Sequence, residues 1–194
     1  MTERRVSAIV LAGGRSSRFG RDKLAEPVGG RPLLDHAIDG VRAFAIEVIV
    51  VLSTDAVAAV PPDVRVVHDP APFEGPLAGL LAGLGAAREP VVLLTAGDMP
   101  ELQPAVVEAL LAASASADVN AAVLEEADRA RPLPMVVARE AALQAAERLI
   151  EAGERSLRAL VEALTTTVIA EATWRPIDPT GRSLRDVDTP GDLR

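Results

Sequence analysis

An apolar, β-branched run, Val6 to Leu11, stops at Ala12-Gly13-Gly14 and opens into Arg15-Ser16-Ser17-Arg18-Phe19-Gly20-Arg21-Asp22-Lys23. A short apolar run closed by glycine reads as a buried parallel strand. The carboxyl end of such a strand is where open α/β sheets bind ligands. Glycine lets the backbone approach a ligand closely, exposed N–H groups face an anion, and Arg18, Arg21 and Lys23 supply positive charge. The stretch is a candidate phosphate cradle; the alternative is a tight strand-to-helix turn with solvated charges.

Two common glycine loops also follow a first strand, and neither fits. A dinucleotide fingerprint requires G-x-G-x-x-G, but Gly13 and Gly14 are adjacent and the next glycine is Gly20. A Walker A loop requires G-x-x-x-x-G-K and then Ser or Thr. Here five residues separate Gly14 from Gly20, and Lys23 is followed by Leu24.

Apolar runs alternate along the chain with segments of helical period, the pattern of βαβ units and an α/β fold with a mostly parallel sheet flanked by helices. The expected strands are 7–11, 47–52, 65–67, 91–95, 120–124, 134–138 and 167–170. The first helix begins at Pro32 with Leu33, Ala37, Val41 and Phe44 on one face, and later helices cover about 76–87, 104–117, 140–151 and 156–164. Residues 174–183 read as a loop. The prolines of Arg131-Pro132-Leu133-Pro134 suggest that the strand after them is an edge. No linker divides the chain, so residues 1–194 are expected to form a single domain.

Composition narrows the chemistry. With no cysteine there is no thiolate nucleophile, disulfide or Cys-ligated zinc, so any metal is held by oxygen. A net charge of −8 and 2% aromatic content argue against a nucleic-acid surface or a base-stacking platform. The sequence shows neither a long uncharged apolar segment nor a secretory leader, and the expectation is a cytoplasmic protein acting on small molecules, away from membranes.

Val91-Val92-Leu93-Leu94-Thr95-Ala96-Gly97-Asp98-Met99-Pro100 is a second buried strand, and it delivers a carboxylate at its carboxyl end. Mg²⁺ binds through one or two carboxylates plus substrate phosphates, which makes Asp98 a candidate ligand; capping the following turn is the competing reading. Gly75-Pro76-Leu77-Ala78-Gly79 places proline and small residues at a helix start, where a ligand could lie against the helix N-terminus. Near the C-terminus, Asp188 or Thr189 would cap a short helix with Pro190 in its first turn. His36 and His68 are the only histidines, and His36 reads as structural.

The pattern L-A-G-G-x-x-x-R-x-G-x-D-K over Leu11 to Lys23 resembles the signature of nucleotidyltransferases, most closely the molybdenum cofactor guanylyltransferases, the MobA-like family. The resemblance covers nearly the whole chain, strongest over residues 8–36 and 69–100. It implies a Rossmann-like domain that transfers GMP from GTP to the phosphate of molybdopterin, with Mg²⁺ as cofactor and a cofactor-maturation protein as a transient partner. It implies nucleotide contacts at Leu11, Ala12, Gly13, Gly14, Lys23, Ser53, Asp69, Gly75 and Asp98, with Thr54 beside Ser53. Lys23, Arg18 and Asp98 would be the catalytic set, with Lys23 on the α-phosphate and Arg18 on the β and γ phosphates. Asp98 and Asp188 would hold metal, and Arg131, Asp186 and Asp188 would meet the acceptor. Gly75 to Gly79 matches the G-P-L-A-G of the guanylyltransferases. Gly97-Asp98-Met99-Pro100 instead resembles the related cytidylyltransferases, where the guanylyltransferases usually carry P-C-D-x-P, and Asp186 and Asp188 stand where that family has asparagines. A CTP-dependent cytidylyltransferase, another NTP transferase of the same fold, and a non-catalytic nucleotide-binding protein are the alternatives.

Overall fold

The structure is a computed structural model that describes residues 5–13, 23–54, 56–69, 75–187 and 192. Its elements are β1 (Val6–Leu11), the hairpin strands β2 (Pro27–Val28) and β3 (Arg31–Pro32), α1 (Leu33–Arg42), β4 (Glu47–Ser53), β5 (Arg65–Asp69), α2 (Pro76–Ala86), β6 (Val91–Ala96) and α3 (Pro104–Ala113). They continue with β7 (Ala121–Glu126), β8 (Arg129–Ala138), α4 (Arg139–Glu151), α5 (Leu157–Ala163), β9 (Thr166–Ile169) and α6 (Glu171–Trp174).

Seven strands form one sheet in the order β5-β4-β1-β6-β8-β7-β9, and only β8 runs against the rest. Strands β1, β4 and β6 are continuous apolar runs because helices cover both faces of the sheet. Alternation along them divides the interior in two. Ala8, Val10, Val48, Val50 and Leu93 meet α1 and α3 on one side, while Ile9, Ile49, Val51, Val92 and Leu94 meet α2, α4 and α5 on the other. Helix α2 lies tight against the sheet: a Cβ on Gly83 would sit 3.0 Å from Ile9 and 3.1 Å from Val51.

Three expectations are corrected. The proline-flanked strand is not an edge, since β8 is antiparallel to β6 on one side and β7 on the other. The prolines fit because β6 pairs only with Met135 to Ala138, and the β7 ladder jumps from Val123–Met135 to Leu124–Arg131. Pro132 and Pro134 therefore fall where no ladder N–H is required. The segment from residue 174 opens on the end of a helix: Trp174 is fully buried, and its indole N–H donates to the Glu125 carbonyl at 2.7 Å. Helix α3 ends at Ala113, short of the expected 117, and the Ser114 hydroxyl donates to the Leu111 carbonyl just beyond it. The helix expected around residues 188–190 lies outside the described residues.

Gly29 and Gly30, at φ of 57° and 84°, make the β2–β3 turn, which suits a tight hairpin of glycines. His36 donates from Nε2 to the Val28 carbonyl at 2.8 Å and ties this hairpin to α1, a structural role.

At the opposite end of the sheet, Glu47 accepts from the Ser7 hydroxyl (2.6 Å), the Arg88 amide (2.7 Å) and Arg65 (2.8 Å). Burial pushes its carboxyl up, but these donors outweigh it and hold the group below its ordinary value of 4.5. A depressed carboxylate stabilises the fold above its unfolded pKa and loses that contribution as pH falls through the folded one. Acid melts below pH 4.5 should therefore show a steeper loss of stability in the native chain than in Glu47→Gln. Replacing Trp174 by Ala should cost about 3–5 kcal/mol in urea denaturation followed by circular dichroism. The Phe replacement keeps bulk but strands the Glu125 carbonyl, at about 1–3 kcal/mol.

Candidate active site

The carboxyl end of β1 is held from both sides. The Ala12 amide donates to Val51 in β4, and the Gly97 amide, just past β6, donates to Leu11, each at 2.8 Å. The next residue must be small, because a Cβ on Gly13 would lie 3.3 Å from the Ser53 amide nitrogen. Gly14 and Arg18, and Asp188 near the C-terminus, lie outside the described residues.

Lys23 opens a 3-10 turn, Lys23–Ala25, whose exit is fixed by the Glu26 amide donating to the Lys23 carbonyl at 3.2 Å. The Leu24 and Leu34 side chains come within 3.2 and 3.3 Å of where a Cβ on Gly97 would be, so Leu24 docks on the residue before Asp98. Lys23 is thereby set against Asp98, with Nζ 2.8 Å from Oδ2 and both side chains largely shielded, at 15% and 25% exposure. The Asp98 carboxylate does not cap the next turn: among the described residues its hydrogen bond is to Lys23. Its carbonyl accepts from Val187 at 2.9 Å. The C-terminal segment thus returns to β6, anchored on the way by Ser183, whose hydroxyl accepts from the Gln103 amide at 3.0 Å.

Asp69 ends β5 in register with Ser53 and is only 8% exposed. Its Oδ2 lies 3.6 Å from the Cβ position of Gly79 in α2. Gly75 precedes α2 at φ 92°, and a Cβ there would meet the Arg155 carbonyl at 2.7 Å. That carbonyl accepts from Leu77, so with Pro76 lacking an N–H the first two positions of α2 offer no amide to an anion.

These parts enclose a cavity of about 540 Å³ lined by Leu11, Gly13, Val51, Asp69, Gly75, Pro76, Gly79, Ala96, Asp98 and Leu133. It therefore gathers Leu11, Gly13, Asp69, Gly75 and Asp98 on one wall system, with Lys23 joined through Asp98. Ala12 is buried behind the lining. Ser53 turns its carbonyl to His68 and lies under Gly13, and Thr54 donates to the Asp69 carbonyl at 2.6 Å, so both buttress the site without lining it. Arg131 pairs with Glu126 at 3.3 Å and is outside the lining, although Leu133 of the same strand is in it. Asp186 is exposed, one residue before the Val187 anchor. Val51 and Ala96 are lining residues that sequence reading did not select, because both look like ordinary core strand positions, whereas Leu133 belongs to the proline-flanked segment expected to border the acceptor pocket. Among the described residues, no cluster of three or more His, Asp or Glu could hold a metal by itself, and no helix is long and apolar enough to cross a membrane.

Residues 8–168 match the MobA-like NTP transferase domain, a span that contains the whole cavity lining. This chain belongs to that family. A probable molybdenum cofactor guanylyltransferase of Chloroflexus aggregans is 37% identical over 193 residues, which cover 97% of this chain and 92% of that protein. A molybdenum cofactor guanylyltransferase of Burkholderia ambifaria is 37% identical over 164 residues, 79% of this chain and 80% of that one. The crystal structure of molybdopterin-guanine dinucleotide biosynthesis protein A from Archaeoglobus fulgidus shares the fold at a TM-score of 0.79 and 23% identity, covering 96% of this chain and 94% of that one. A 2-C-methyl-D-erythritol 4-phosphate cytidylyltransferase from Thermus thermophilus shares it at 0.70 and 21%, covering 95% and 94%. The α/β fold of this MobA-like chain, with its mostly parallel sheet, is thus the nucleotidyltransferase fold.

In this family member Gly75, just before α2, and Gly79, within it, have separable roles. Gly79→Val should weaken nucleoside triphosphate binding at least about tenfold by calorimetry with little change in melting temperature, since its Cβ meets only ordinary contacts and its methyls enter the cavity. Gly75→Ala should instead lower the melting temperature, because both its φ and the Arg155 carbonyl oppose a side chain.

Proposed function

We propose that this chain is a molybdenum cofactor guanylyltransferase: within one nucleotidyltransferase domain spanning residues 1–194, it transfers GMP from GTP to the phosphate of molybdopterin, giving the guanine dinucleotide cofactor and pyrophosphate. The observation that carries this reading is the pairing of Lys23 with Asp98 on a cavity whose far wall holds the buried Asp69. The guanylyltransferase relatives support the substrates.

The base end follows from Asp69. An ionised carboxylate only accepts hydrogen bonds, and guanine presents two neighbouring donors, N1–H and N2–H₂. At the phosphate end, an oxygen of the acceptor phosphate attacks the α-phosphorus, a P–O bond forms, and the bond to the β-phosphate oxygen breaks with its electron pair leaving on pyrophosphate. No protein nucleophile is needed. Lys23 holds a non-bridging α-phosphate oxygen and meets the charge that develops there, so catalysis is positioning plus neutralisation. Arg18 serves the departing phosphates, and Arg131 and Asp186 flank the acceptor.

Mg²⁺ suits the donors present. Lys23 contacts Oδ2 of Asp98, so Oδ1 remains as a hard oxygen ligand on the cavity wall, and one carboxylate plus phosphate oxygens and waters is an ordinary Mg²⁺ environment. Asp98 would hold the ion, with Asp188 as the second candidate. When bound, it acts as Lewis acid and template on the phosphates.

Pyrophosphate release with molybdopterin and each of GTP, CTP, ATP and UTP tests the reading. GTP alone should support turnover; use of CTP in its place would move the chain to the cytidylyltransferases that Gly97-Asp98-Met99-Pro100 resembles. Asp98→Ala should lower kcat by about 10²- to 10³-fold in a folded protein. Asp69→Asn, which turns part of the acceptor into a donor, should erode the preference for GTP over the other triphosphates.

A further inference from the structure

Lys23 and Asp98 are in direct contact, and both ends of the contact are built. Lys23 is placed by the 3-10 turn and by Leu24 docked on Gly97; Asp98 is placed by the bonds from Gly97 to Leu11 and from Val187 to its own carbonyl. Neither side chain is more than 25% exposed, so solvent screens the pair less than it would a surface pair.

We propose that Lys23 is the resident counter-cation of Asp98, and that this makes Asp98 a poor ligand for a free divalent cation, so that the site accepts metal only together with a nucleoside triphosphate. An ion bound to Oδ1 of Asp98 at about 2.1 Å would stand within roughly 7 Å of the ammonium on Oδ2, and the two like charges repel. Mg²⁺ also gives up its water reluctantly, so one already neutralised carboxylate offers it little. A triphosphate reverses the balance. Its oxygens attract Lys23 away from Asp98 and bring several negative charges, leaving the carboxylate to share the metal. The pair therefore sets an order of occupancy: metal arrives as its nucleotide complex. This inference rests on reading the cavity as a nucleotide site.

Mn²⁺ binding to the full-length protein, read from the loss of the free-ion electron paramagnetic resonance signal, tests it without turnover. The native chain should bind Mn²⁺ weakly alone and, with GTP and no acceptor, should remove more free Mn²⁺ than the same GTP removes without protein. Lys23→Met should bind Mn²⁺ without nucleotide at least about tenfold more tightly than the native chain, the scale expected for removing a unit charge near a divalent ion even under strong screening. Adding Asp98→Asn to it should abolish the gain. Lys23→Gln repeats the measurement with a polar side chain, and thermal melts establish that each variant is folded. Mn²⁺ affinity in both Lys23 variants equal to or below the native value would overturn the proposal. If those variants gain affinity while GTP has no effect on the native chain, the counter-cation role stands and the nucleotide reading falls.

Discussion

Two backbone hydrogen bonds at the end of β1, from Ala12 to Val51 and from Gly97 to Leu11, hold three strand ends at the fixed separation of a parallel sheet. Every part of the site is referred to that point. The glycine loop leaves from β1, the peptide before Asp98 is pinned to it, and β4 supplies the floor on which Gly13 passes. A cradle built on a loop alone would have to order itself around each ligand. Here Gly13 continues from β1, a strand with five of its six residues buried, and the entropy of positioning Asp98 is already spent in folding the sheet.

The second organising contact is between side chains that carry no charge. Gly97 leaves a hollow between β6 and Asp98, and Leu24, immediately after Lys23, fills it together with Leu34. Apolar packing thereby fixes how far Lys23 stands from Asp98, and electrostatics acts across a distance it did not have to set. The return of the C-terminal segment adds a third support, because Val187 is buried while its amide holds the Asp98 carbonyl.

Legibility in the sequence followed the physics of each feature. Strands β1, β4 and β6 were readable because burial on both faces leaves an uninterrupted apolar run, and Asp98 and Gly13 were readable because chemistry-bearing residues directly follow such runs. Gly75 and Gly79 were found through the company of Pro76. The edge reading of β8 failed because a proline rule that holds for regular ladders was applied to a bulge, and only pairing to β7 and β6 reveals the bulge. Val51 was hidden because it also packs the core, and a residue that is half core and half cavity has no local signature. Arg131 was selected through the family resemblance, and its ion pair with Glu126, across the β7–β8 turn, is a contact that sequence alone does not register.

In a chain of net charge −8, the geometry separates the two carboxylates of the cavity. Asp69 ends β5 and Asp98 follows β6, with β4 and β1 between them, so they stand three strand spacings apart, about 14 Å at roughly 4.8 Å each. Asp98 lies beside Lys23, whereas Asp69 lies against α2 and is more deeply shielded. A carboxylate so buried favours a ligand that presents N–H donors and disfavours one that presents phosphate oxygens. On the proposed guanylyltransferase reading, the same charge on two side chains selects opposite ends of an elongated ligand, the base at Asp69 and the phosphates beside Lys23.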